Sequence, residues 1–320
     1  MERTSIGGYR LVQQVTTGGP GCLHYFATRE EDPGNVPEYF VKALLPGLPE
    51  REEALLSAQF EHEVQLFETL NHPNFASLHA SGREDSILYY VVDRIIGVDL
   101  AELLGHREGV PQALSSEIAV YLMAQVANAV VGLHGIEQLD ENGAPDLIDA
   151  LHRDICPANV LLSTDGDVIL ADLGCASSRW LANEMTVRDA GARAYMAPER
   201  VIGGGEATVQ TDLFALAVML WEILRGERCL RGVNDISTME NIARFDISNA
   251  SNRVTGLSPR LSEVLRRNLD KDPGRRFATS HQVLSRLSQA TESEHAARAR
   301  IELGKMVQAR LDASAKSSGR

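Results

Sequence analysis

The chain has 320 residues, 44% of them apolar, which is enough for one large two-lobed unit or two ordinary domains and excludes disorder throughout. A formal charge of −13 argues against a nucleic-acid binder, because a phosphate backbone needs a concentrated basic surface. Four cysteines at unrelated spacings, with no Cys-x-x-Cys pair, suggest neither a disulfide framework nor a structural zinc site.

After a short leader, 1–8, alternating or β-branched runs punctuated by Gly and Pro predict strands at Tyr9–Val15, Leu23–Thr28, Tyr39–Ala43 and Ile87–Val92. With one helix among them, they make residues 9–97 a strand-rich unit. From 98 to 290 the pattern is mostly helical: Ile118–His134 and Asp212–Leu224 read as buried helices, Leu261–Leu269 and Ser280–Leu287 as shorter amphipathic ones. The fold class is therefore α+β, a small strand-rich lobe followed by a larger helical one. No basic-then-apolar leader opens the chain, and the longest apolar stretches are too short or are broken by Gln125, Asn128 and Glu222. No membrane segment is expected, and a cytoplasmic location is.

In the helix before Asn71, Leu56, Phe60, Phe67 and Leu70 share one face, and Glu63 sits inside that stripe while Glu61 points away. A carboxylate on a buried face needs a partner, and Lys42 in the strand YFVKAL is the leading candidate. The alternative is that Glu63 borders the stripe and reaches water. Further on, VLLSTDGDVILADLG holds two apolar runs around an Asp-Gly turn signal, which predicts a hairpin. Its outer ends bring Asn159 and Asp172 side by side, hard oxygen donors suited to Mg²⁺, and Asp154 hangs at the same edge.

HRDICPAN at 152–159, DLG at 172–174 and YMAPER at 195–200 resemble the catalytic loop, metal-binding turn and end of the activation segment of eukaryotic-type (Hanks-type) protein kinases, bacterial members included. The resemblance covers about residues 9–288, ending in DPGRRF, where Arg276 looks like the arginine that pairs with Glu199; Asp212 resembles the buried aspartate that braces the catalytic loop. It implies a bilobal kinase that transfers the γ-phosphoryl group of ATP to protein serine or threonine hydroxyls with Mg²⁺. Asp154 would then be the base, Asn159 and Asp172 the metal ligands, and Lys42, fixed by Glu63, the grip on the phosphates. His152 and Arg153 are expected to tether the loop rather than react. The nucleotide loop falls in VTTGGPGCL, opened by Val15 as a nucleotide-binding residue, with Thr16 in the place of the usual first glycine, Gly18 and Gly21 matching the second and third, and Leu23 in the place of the valine that covers adenine. Asp93 and Ile95 resemble the hinge residues that offer backbone groups to adenine, and Asp99 the one that reaches the ribose. A protein substrate and a nucleotide are the partners implied; oligomeric state is open.

Three departures from the family pattern bear on activity. Phe40 stands where a small residue packs on adenine, Cys156 where a lysine touches the transferring phosphate, and Ala192 where a threonine bonds to that lysine and to the base. Impaired catalysis follows, and the alternative is a pseudokinase acting as a binding or scaffold module. Ser177, Ser178 and Thr186, near Arg179 and Arg188, are candidate phosphorylation sites. Cys22, Cys156 and Cys175 raise a redox switch as a further hypothesis. Between His134 and His152, IEQLDENGAPDLIDA carries five acids and no base, and is expected to be a solvated loop. The tail, 291–320, with Ile301 and Met306 against Arg298, Arg300, Lys305 and Arg310, predicts a basic amphipathic helix that docks on the acidic body or a partner, or frays.

Overall fold

The computed structural model describes residues 4–15, 21–31, 36–186, 192–202, 204–246, 253–290 and 292–318. The smaller lobe is an antiparallel sheet of β1 (Ser5–Ile6), β2 (Tyr9–Val15), β3 (Cys22–Arg29), β4 (Tyr39–Leu44), β5 (Leu78–Glu84) and β6 (Ile87–Asp93), in the order β1-β2-β3-β4-β6-β5. Strand β5, LHASGRE, has no apolar alternation to announce it; it forms because β6 offers an open edge. Across the sheet lies α1 (Glu50–Thr69), whose first turn carries Glu50, Glu52 and Glu53, favourable against the helix dipole.

A short strand β7 (Gly97–Asp99) and α2 (Leu100–Leu103) lead into the larger lobe. There α3 (Ser116–His134) is capped by Ser115 and packs against α5 (Val209–Arg225), α8 (Ser280–Ser288) and α9 (Ser293–Ser318). Helix α3 is long and apolar enough to cross a membrane by composition, but most of it lies buried in this core. Helix α5 ends at Gly226, φ +60°, where a Cβ would stand 2.4 Å from the Ala113 nitrogen; only glycine fits that crossing. The remaining elements are the hairpins β8 (Glu137–Leu139) with β9 (Pro145–Leu147) and β10 (Val160–Ser163) with β11 (Val168–Leu170), and helices α4 (Pro198–Ile202), α6 (Asp235–Arg244) and α7 (Pro259–Asn268).

Two expectations are corrected. The acidic insertion is no simple solvated loop: β8 and β9 pair, Ile148 behind them is fully buried, and Gln138 accepts a hydrogen bond from Trp180 Nε1 at 2.6 Å. The tail is helical and docked, but Ile301 is 59% exposed and the buried stripe is Ala299, Leu303 and Val307. Small residues decide the face: a Cβ on Gly304 would lie 2.5 Å from the Thr164 carbonyl, so α9 approaches the β10–β11 turn more closely than a larger side chain allows.

Candidate active site

The hairpin β10–β11 delivers its two ends together. The Ala171 N–H donates to the Asn159 carbonyl at 2.8 Å, placing Asn159 beside the Asp172 turn. Asp172 has φ +63° and Arg153 φ +67°, left-handed conformations that non-glycine residues hold only where their surroundings over-determine them. For Arg153 the constraint is Asp212, 1% exposed, which accepts the N–H groups of His152 and Arg153, each at 2.9 Å. His152 is fully buried, in keeping with a tether.

Glu63 does not reach water. It is 1% exposed, accepts from Lys42 Nζ at 2.8 Å and from the Tyr90 hydroxyl at 3.0 Å, and Lys42 lies 3.2 Å from Asp172 Oδ1. Burial acts to discharge the lysine, but Asp172 and Glu63 more than offset it and hold the amine well above its ordinary pKa. The same Lys42 charge draws Asp172 down to about 2, so that carboxylate is ionised under working conditions. Asp154 is different: burial raises its pKa, against hydrogen bonds from the Ala192 N–H at 2.6 Å and from Asn159 Nδ2 at 2.9 Å. The backbone of Ala192 thus makes a bond to Asp154 although its side chain cannot. Asn159 uses its amide N–H₂ on Asp154, which leaves its Oδ1 as the atom available to a ligand.

Lys42, Asn159 and Asp172 edge a cleft of about 580 Å³, within the usual range for small-molecule sites, and Asn159 ties Asp154 to that edge from outside its lining. Val15, Asp93, Ile95, Asp99, Lys42, Asn159 and Asp172 line it; Gly21 does not, and Gly18 lies outside the described residues. Gly21 instead makes a turn at φ +73°, where a Cβ would meet Leu48. Leu23 is corrected as an adenine-covering residue. Cross-strand pairing sets Leu23 opposite Ala43 and His24 opposite Lys42, so His24 and Phe26 share the cleft face and Leu23 points the other way. A one-residue change of register inverts every side chain of a strand. Phe40 lines the roof, packed against His24 and Phe26 at ring distances of 5.2 and 6.4 Å, and the cleft stays open beneath it.

Sequence reasoning also missed Arg94, whose guanidinium lies 3.9 Å from the Phe26 ring, and Arg107, which pairs with Asp99 at the cleft mouth. Nothing local marks either one. The donors that are present, Asn159 Oδ1 and an ionised Asp172, suit Mg²⁺ with room for phosphate and water; among the described residues no group of three or more His, Cys, Asp or Glu is arranged to hold a metal ion by itself.

The stretch that follows Asp172 is held on two sides. Gln59 and His62 of α1 bond to the Ala176 carbonyl at 2.7 Å and to Ser178 Oγ at 2.8 Å. Arg179 does not wait for a phosphate: it pairs with Asp146 at 2.9 Å and Asp149 at 3.4 Å. Arg188 lies outside the described residues. Farther along, Arg276, its side chain fully buried, holds Glu199 through two bonds of 2.7 Å. The cysteine switch loses support, since burial pushes the Cys22 and Cys156 thiols up and Cys175 up to about 12, away from the reactive thiolate.

Comparison with known proteins agrees with this geometry. The family model of the protein kinase domain matches residues 40–287. Serine/threonine-protein kinase PknE of Mycobacterium tuberculosis is 29% identical over 281 residues, covering 87% of this chain and 45% of PknE. PrkC of Bacillus subtilis is 26% identical over 239 residues, 74% of this chain and 34% of that one, and PknB of Mycobacterium tuberculosis is 26% identical over 243 residues, 74% and 36%. The chain spans less than half the length of these curated relatives. With the family model covering most of its length and a charged cleft edge built from the matching motifs, the chain belongs to the protein kinase domain family.

Proposed function

We propose that this chain transfers the γ-phosphoryl group of ATP to serine or threonine hydroxyls of proteins in the cytoplasm. The observation that carries this reading is one cleft edge, where Lys42 bridges Glu63 and Asp172 while Asp154 is oriented by Asn159 and Ala192. The bound Mg²⁺–ATP would supply the phosphoryl group and the cation that screens its charge. Asp154 orients the substrate hydroxyl and takes its proton, and its raised pKa makes it a better base than a free aspartate. Lys42, protonated and fixed by Glu63, grips phosphate oxygens, and Asn159 and Asp172 hold the metal. Main-chain groups at Asp93 and Ile95 receive adenine, and Asp99 the ribose. The catalytic loop has no cation at Cys156, whose side chain is buried, and one missing electrostatic contact costs on the order of 10²-fold in rate. Slow turnover is expected. A nucleotide-free scaffold is not favoured, since it has no need of the buried Lys42–Glu63–Asp172 cluster.

Purified protein with Mg²⁺ and labelled ATP should label itself or a generic protein substrate, and Asp154→Asn should abolish the signal. Equal labelling by Asp154→Asn removes the base from the mechanism; labelling of a small metabolite but of no protein replaces the substrate class.

A further inference from the structure

Helix α9 is seated by more than its buried stripe. Arg300 Nη2 pairs with Asp167 Oδ1 at 2.7 Å and its Nε donates to the Asp165 carbonyl at 3.2 Å, both in the β10–β11 turn. Gly166 in that turn, φ +79°, faces the Arg300 carbonyl so closely that a Cβ would lie 2.0 Å from it. Helix and turn therefore meet in one register. Ten residues on from Arg300, that register places Arg310 against α2 and the turn after it. Arg310 pairs with Glu108, and its Nε, shut away from solvent without a hydrogen bond, lies 3.5 Å from Glu102 Oε1. The other oxygen of Glu102 faces Arg107 Nη1 at 3.6 Å, and Arg107 pairs with Asp99. Asp99 Oδ1 in turn accepts the Glu102 N–H at 2.9 Å, capping α2.

Charges thus alternate without a break from the tail to the cleft: Glu108, Arg310, Glu102, Arg107, Asp99. Asp99, Glu102 and Arg107 all line the cleft; Arg310 does not. Glu102 is the pivot, because each of its oxygens answers a different arginine. Without Arg310, Glu102 and Arg107 are free to adopt other pairings, and the Asp99 carboxylate, still tied through Oδ1 to the Glu102 N–H, loses the constraint on Oδ2 at the ribose end.

We propose that Arg310, presented by the docked helix α9, is a positioning residue for nucleotide binding that acts through Glu102 and Arg107 to orient Asp99 toward the ribose hydroxyls. This rests on the nucleotide reading of the cleft given above. Partly exposed ion pairs are individually weak, so the effect is graded rather than absolute.

The test uses the full chain and calorimetric titration with Mg²⁺ and three nucleotides: ATP, 2′-deoxy-ATP and 3′-deoxy-ATP. Wild-type protein should prefer ATP to at least one deoxy analogue. Arg310→Ala should weaken ATP by about three- to fivefold, the scale of one such pair, while leaving that analogue nearly unaffected. Arg310→Lys should recover part of the preference, and Asp99→Ala should cancel the effect of Arg310→Ala. Should Arg310→Ala loosen the tail, Glu102→Gln reads the same chain with the helix packing intact, and should likewise narrow the preference. Loss of affinity by one common factor for all three nucleotides, or no change in either variant, overturns the proposal while leaving the kinase reading standing. A wild-type chain without any ribose preference also overturns it. Absence of nucleotide binding in the wild type overturns the kinase reading and this proposal together.

Discussion

Replacing Asp212 by asparagine changes almost no volume at the foot of the catalytic loop, yet it removes a charge and an acceptor. Oδ2 accepts from the His152 N–H and from His134 Nε2, each at 2.9 Å, and Oδ1 accepts from the Arg153 N–H at 2.9 Å. An amide offers one oxygen and a donor group, so at least one N–H of the loop must then face another donor. A buried donor left without an acceptor costs roughly 1–3 kcal/mol, and bonds to a neutral rather than a charged acceptor are weaker by about 1 kcal/mol. The expected loss is therefore roughly 3 kcal/mol, read as a lower urea midpoint with an unchanged slope. The loop also relaxes, because Arg153 keeps its left-handed conformation only while its N–H is held. Asp154 is the next residue, so kcat should fall by about tenfold or more while the KM for ATP changes little. An Asp212→Asn protein with stability within about 0.5 kcal/mol of the parent and an unaltered kcat refutes the reasoning.

Other outcomes test the rest of the structure. Leu303→Ala empties a fully buried site between α9 and the larger lobe and should cost about 2–5 kcal/mol, with hydrogen exchange rising across residues 293–318; unchanged protection there contradicts the docked tail. Burial lowers the His62 imidazole to about 4. An unfolded histidine near pH 6.5 binds a proton that the folded one refuses, so this group's contribution is complete above pH 6.5 and is lost as pH falls toward 4. At pH 5 the loss is on the order of 1–2 kcal/mol, and His62→Gln should flatten the corresponding slope of stability between pH 6.5 and 5; identical slopes in the two proteins would show that the imidazole protonates freely in the fold.

What could be read from the chain alone was local. Hydrophobic spacing put Glu63 on the buried face of its helix, and the Asp-Gly turn brought Asn159 to Asp172, because each follows from a period or a turn within some twenty residues. The motifs around Asp154, Asp172 and Glu199 carried the architecture and the chemistry. Strand register was harder: Leu23 and His24 follow a glycine-rich turn with no fixed length, and only pairing with Ala43 and Lys42 decided which of them faces the cleft. Strand β5 existed only because β6 had an edge to cover.

The acidic insertion and the tail had no such local rule. Asp146 and Asp149 meet Arg179, and Arg310 meets Glu102 and Glu108, across sequence separations that only tertiary packing closes. Charges at a helix surface have many candidate partners in a sequence; which one they find is settled by close packing at positions such as Gly166 and Gly304, where backbones meet too tightly for a side chain. Periodicity, turn signals and motifs therefore determined which residues meet at the cleft edge, and tertiary packing decided which remote charges pair with one another around it.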